Sequence, residues 1–289
     1  MLTAKNASRT KPCRRPTRVD PTYARSLVEQ VFREDMHAAR VLSLANGVIG
    51  VLHAAVLVVH AIGQAYAKVA NIQPKSGVKQ LERLLSNEGL VMAQILKSWV
   101  AFVVGVRKEI VVVLDWTDFE KDDHATLAAY LVTRHGRATR LVWQTVKKPT
   151  LEGMRNAHEY ALVERLHSYL DKDVEITVLA DRGFGDQKLY EYLSFLRRDF
   201  VIRFRGCIVV ESAAGEAKPA KEWVPANGRA TILRDVRVTK DRARVPAVEG
   251  LYWYDCIPTM REDWLVPLMT AFDRIVREHA VFREIFGII

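Results

Sequence analysis

Apolar positions follow three rhythms along this chain. From Met36 to about Val106 they recur at helical spacing. In "KSGVKQLERLLSN", just after Pro74, Val78, Leu81, Leu84 and Leu85 predict an amphipathic helix, with Lys75, Lys79 and Arg83 four apart on one face. Val41 to Ala67 carries no formal charge and is long enough to span a bilayer. However, Asn46, His53 and His60 recur seven apart, with Gln64 close behind, so a helix there bears a polar stripe. Gly47, Gly50 and Gly63 add close-packing positions. The expectation is a buried helix in a bundle, not a membrane span. Residues 1 to about 35 read as a basic, disordered tail leading into a short helix.

The rhythm changes at Lys108. "EIVVVLDWTDF" is a continuous β-branched run that ends in acid, and "TRLVWQTVKK" reads as another strand. Glu152 to Leu170 is helical, with Met154, Ala157, Ala161, Leu162 and Leu166 on one side. "VEITVLADRGFGD" is a buried strand running into a glycine-rich loop; "QKLYEYLSFL" is a helix and "DFVIRFRG" a strand. Strands, helix, strand, helix, strand describe an α/β mixed sheet with helices on its faces. From about 206 to 250 the pattern turns irregular, with short pieces such as "CIVVE" and "RATILRDVRV" that predict a β-rich insertion. Helical spacing returns from Asp263 to Ile289. The domains expected are a tail to 35, a helical domain over 36–106, and an α/β core over 107–289.

Composition narrows the class. The 289 residues suffice for one large or two ordinary domains, and 49% apolar with 27% charged residues is a globular profile. A formal net charge of +9 is compatible with a polyanionic partner, of which nucleic acid is the commonest. Cys13, Cys207 and Cys256 are odd in number and widely spaced, which argues against a disulfide framework or zinc knuckle and fits a reducing cytoplasm. No apolar run follows the basic residues Lys5 to Arg18, so no secretory signal is indicated.

The candidate chemistry lies at strand ends. Asp115 closes one apolar strand and Asp181 another. Functional groups of α/β sheets cluster where strands open to solvent. Two carboxylates there can hold Mg²⁺ or Mn²⁺ with water and phosphate oxygens, the arrangement used for in-line phosphoryl transfer. Each could equally be a turn or cap residue. Asp118 reads as a helix cap, and His124 and His135 as ordinary surface residues.

"VVVLDWTDF" and "VLADRGFGD" resemble the first and second aspartate motifs of the DDE transposases encoded by insertion sequences, in the group called the IS-four family. "ARVLSLANGVIGVLHAA" and "GVKQLERLLSN" are similar to the N-terminal helical region of the same proteins. The resemblance spans roughly residues 36 to 248. It implies a ribonuclease-H-like core, with Asp115 on the first strand and Asp181 just after the fourth. It further implies divalent metal as cofactor, transposon ends and target DNA as partners, and a homodimer assembled on DNA. Lys75, Lys79 and Arg83 would contact the DNA backbone, and Arg182 would reach phosphate. Trp223 would stack on a flipped base, its alternative being an anchoring aromatic in a hairpin.

The third carboxylate is the weak match. The family carries Tyr, two residues, Arg, three residues, Glu, six residues, Lys on its last helix. Here Arg274 and Glu278 keep the Arg-to-Glu spacing, but Ala271 and Ile285 stand at the Tyr and Lys positions. Glu284 fits by length but has Ala280 at the Arg offset. Glu278 is therefore the expected third acid. Family members continue beyond the point where this chain ends, so the expectation is a truncated or frame-shifted copy. The alternative function is a chain that binds DNA ends without cutting them.

Overall fold

The computed structural model describes residues 19–133, 138–202, 206–223, 233, 236–238 and 243–244. The chain divides into two compact units at Ser98/Trp99.

The first unit is helical. Helix α1 (Pro21–Phe32) starts where Asp20 accepts a hydrogen bond from the Thr22 N–H, with Pro21 in the first turn, where a missing N–H costs nothing. Ala24, Val28 and Phe32 are four apart and buried. The short helix expected at the end of the 1–35 stretch is thus present, over Pro21–Phe32. The expected single helix over Val41–Ala67 is two, α2 (Ala38–Ala54) and α3 (Val59–Ala70), bent by 100° at a left-handed Ala55. No single helix among the described residues is long and apolar enough to cross a membrane.

Helix α4 (Pro74–Leu85) buries Gly77, Leu81 and Leu84, while Leu85 is exposed, contrary to its place on the predicted apolar side. A Cβ on Gly63 would stand 2.5 Å from the Val78 Cα, and one on Gly77 2.3 Å from the Gly63 carbonyl oxygen. The backbones of α3 and α4 therefore touch at two glycines. The polar stripe is partly used inside the bundle: Asn46 accepts from Arg25 at 3.2 Å and donates to Gln80 at 3.4 Å. Ser98, on α5 (Met92–Val104), donates to Asp35 at 2.6 Å.

The second unit is built on a five-stranded mixed sheet in the order β3-β2-β1-β4-β5. Strand β1 (Glu109–Phe119) pairs antiparallel with β2 (His124–Leu131), which pairs antiparallel with β3 (Thr139–Lys147). On its other side β1 pairs parallel with β4 (Glu175–Ala180), and β4 with β5 (Asp199–Ile202). Helix α6 (Arg155–Tyr169) connects β3 to β4, and α7 (Gln187–Phe195) connects β4 to β5. Ile110, Val112 and Leu114 of β1 join Ile176 and Val178 of β4, Leu162 and Leu166 of α6, and Leu189 and Leu193 of α7 in one core. This mixed sheet with flanking helices is compatible with a ribonuclease-H-like fold.

The buried face of α6 differs from the predicted one. Glu159, Leu162, Val163 and Leu166 are buried, whereas Met154 and Ala157 are exposed. Asp118 lies within β1 and pairs loosely with Lys148 at 4.0 Å, so it caps no helix. A second sheet, in the order β7-β6-β8-β9, is formed by Val209–Glu211 (β6), Ala217–Pro219 (β7), Arg237–Val238 (β8) and Ala243–Arg244 (β9). It lies in the stretch expected to be β-rich.

Candidate active site

The register of two strands creates the site. Strand β1 pairs in parallel with β4 up to Leu114 opposite Ala180, and the next residue in each is Asp115 and Asp181. Parallel neighbours lie about 4.8 Å apart and present paired residues on the same face. Both strands reach this point because their preceding residues are buried: Val112, Val113 and Leu114 in one, Val178, Leu179 and Ala180 in the other. Where the apolar runs end, the two aspartates are exposed.

Each carboxylate is held but not saturated. Asp181 Oδ1 accepts the Gly183 N–H at 2.8 Å, capping a short 3-10 turn over Arg182–Phe184. Asp115 Oδ2 accepts from the Thr117 hydroxyl at 3.3 Å. Neither takes part in an ion pair with Lys, Arg or His among the described residues. The Asp115 carboxyl is raised from its ordinary value, first by desolvation and then by the charge of Asp181, against the hydrogen bonds from Thr117 and the Trp116 backbone. Two like charges on adjacent strand ends, with no cation partner among the described residues, form a hard-oxygen donor set that fits Mg²⁺ or Mn²⁺. No group of three or more His, Cys, Asp or Glu among the described residues is arranged to hold a metal ion. The expected third acid, Glu278, and its alternative Glu284 lie outside the described residues, as does His135.

Of the expected DNA-contacting residues, Lys75, Lys79 and Arg83 are all exposed on α4, and none is in an ion pair among the described residues. Arg182 is exposed and adjoins Asp181. Trp223 is half-buried: its indole N–H donates to the Val210 carbonyl at 3.2 Å, and the Lys218 ammonium sits 4.1 Å from its ring centroid. It packs against the buried cluster of Tyr190, Val210, Ala220, Val236 and Val238, so it helps anchor the small sheet, and base stacking there would require Lys218 to move aside.

One acid near the site escaped the sequence reading. Glu159 on α6 is 1% exposed, and its Oε1 accepts from the Trp116 indole N–H at 2.8 Å. Its Oε2 has no donor among the described residues. Next to it, Tyr160 donates to Asp186 Oδ2, in the loop that follows Asp181. Burial pushes the Glu159 carboxyl from its ordinary 4.5 up to about 7, helped by Asp186 and Asp181 and opposed by the Trp116 hydrogen bond and Arg155. The signal was its spacing: Glu159 is three, four and seven residues before Leu162, Val163 and Leu166, an acid in the apolar row.

This shift has a consequence for stability. The folded state holds the Glu159 proton more tightly than the unfolded chain, so its contribution is full below pH 4.5 and is lost as pH rises through about 7. The loss amounts to up to about 3 kcal/mol. Urea unfolding in chelator is expected to show Glu159→Gln gaining stability over the parent at pH 8, with the gap closing toward pH 5. A gap that does not change with pH would contradict this.

No family model matches the chain, and no curated protein matches it. Among solved structures, a chain in the crystal structure of a pre-cleavage Mos1 transpososome aligns at 8% identity with a TM-score of 0.17. The alignment covers 68% of this chain and 61% of that one, so this chain spans less than two thirds of its length. A likeness at that level carries no weight for fold or function, which leaves the strand-end aspartates as the ground for a functional reading.

Proposed function

We propose that this chain is a DDE-type DNA transposase similar to the IS-four family, cleaving DNA at insertion-sequence ends and joining those ends to target DNA. The observation that carries the reading is the placement of Asp115 and Asp181 at the ends of adjacent parallel strands, unpaired with any described cation. In this reading both carboxylates bind divalent metal, and Glu278 completes the set. Bound Mg²⁺ or Mn²⁺ supplies activation of a water or 3′-hydroxyl and neutralises the leaving oxygen. The chain's own part is to hold the two carboxylates one strand apart and, through exposed Arg182, to draw a phosphate toward them.

The exposed row Lys75, Lys79 and Arg83 on α4 supplies sequence-independent attraction to the DNA backbone. Replacing each by Gln is expected to weaken binding to terminal-repeat and unrelated duplexes alike. The slope of log affinity against log salt should fall by about one per residue removed. Fluorescence anisotropy over a salt series measures it, and an unchanged slope in the triple variant would remove α4 from the interface. The decisive experiment for the function is cleavage and joining of terminal-repeat DNA with Mg²⁺ or Mn²⁺. Binding of the ends without cleavage under any metal condition would identify a DNA-binding chain that performs no chemistry.

A further inference from the structure

We propose that Glu159 supports cation binding at Asp115 and Asp181 from the opposite face of β1, through its buried negative charge and its hold on Trp116. This rests on the reading of the two aspartates as a metal site and adds a positioning residue to it.

Three observations converge. First, successive residues of a strand point to opposite faces, so Asp115 and Trp116 form a front and a back of the same strand end. The Trp116 indole is gripped from behind by Glu159, which takes its N–H at 2.8 Å; the Arg155 guanidinium, 4.9 Å from the ring centroid, acts instead as a charge opposing Glu159. Second, the neighbouring Tyr160 grips the loop after β4 through Asp186. Adjacent residues of α6 thus hold both chain segments that carry the aspartates. Third, Glu159 is buried with one oxygen lacking a donor among the described residues, within electrostatic reach of Asp181 and Asp186, which repel it. A leucine at this position would continue the row Leu162, Val163 and Leu166 without that cost. Among the described residues, the exposed Arg155 supplies opposing charge. Below about pH 7 a proton on Glu159 relieves the charge of this corner, and above it further positive charge at the aspartates would do so; charges and hydrogen-bonding groups behind metal ligands commonly set metal affinity.

The test is Mn²⁺ binding to the full chain without DNA, followed at pH 8.5 by electron paramagnetic resonance of free Mn²⁺. Glu159→Gln keeps the shape and one hydrogen-bond acceptor for Trp116 but removes the charge. Its Mn²⁺ affinity is expected to fall about tenfold, while its melting temperature does not fall. Arg155→Gln, on the surface, removes the opposing charge and is expected to tighten Mn²⁺ by roughly twofold. Asp115→Asn and Asp181→Asn are expected to lose binding. If Glu159→Gln binds Mn²⁺ like the parent while the aspartate variants do not, the inference fails and the metal site stands. Should Glu159→Gln not fold, Arg155→Gln decides, and unchanged or weaker binding overturns the proposal. If Asp115→Asn and Asp181→Asn bind Mn²⁺ like the parent, the metal site itself is wrong.

Discussion

Asp181→Asn and Asp115→Asn are each expected to abolish metal-dependent cleavage of terminal-repeat DNA, by at least about a thousandfold, without loss of fold. Asparagine keeps the shape of each side chain. At 181 its carbonyl oxygen can still accept the Gly183 N–H that organises the turn. At 115 the amide can still bond Thr117. What disappears is one of two negative charges placed side by side. In the absence of metal that removal relieves repulsion, since the charge of Asp181 helps push the Asp115 carboxyl upward. Stability measured in chelator should therefore stay level or rise while catalysis is lost. This opposite movement separates a metal ligand from a cap residue, whose replacement would lower stability and spare activity. Full cleavage activity in either variant would sink the transposase reading.

The second large effect concerns the helical unit. Gly77→Ala and Gly63→Ala are each expected to destabilise it by about 2 kcal/mol. Alanine normally favours a helix interior over glycine by about 1 kcal/mol. Here the new methyl would lie 2.3 Å from the Gly63 carbonyl oxygen in one case and 2.5 Å from the Val78 Cα in the other. Both obstacles are backbone, which cannot swing aside, and overpacking of this kind costs about 3 kcal/mol. The clash outweighs the propensity. The double variant should cost less than the sum of the two, because a single separation of α3 from α4 relieves both contacts. Urea unfolding followed by circular dichroism measures all three. A gain of stability in either single variant would mean that the helices do not approach this closely.

What could be read in the sequence follows from how locally each feature is encoded. The β-branched run before Asp115 and the apolar run before Asp181 identify β1 and β4 without help, because strands buried on both faces need such runs. Strand β2 was not legible. "HATLAAYL" is rich in alanine and becomes a strand because β1 and β3 flank it. The break between α2 and α3 was equally silent: the left-handed position that usually takes glycine is occupied by Ala55, and apolar Val56, Leu57 and Val58 continue the run. Helix α1 carried its signal locally, in Asp20, Pro21 and the spacing of Ala24, Val28 and Phe32. The two aspartates could be named from sequence, whereas their adjacency depends on strand order. Glu159 was missed because an acid within an apolar row reads as an interruption of a face until burial shows that it belongs to it.

The parallel pairing of β1 with β4 also acts as a ruler. The interval between the two acids is set by the distance between strands, a property of the backbone that no side-chain substitution elsewhere can stretch. Separating the acids would require one strand to slide along the other. A slip of one residue would turn Val112 and Leu114 away from the core partners they now face. The measure of the site and the integrity of the core are therefore a single quantity, and the chain cannot lose one while keeping the other.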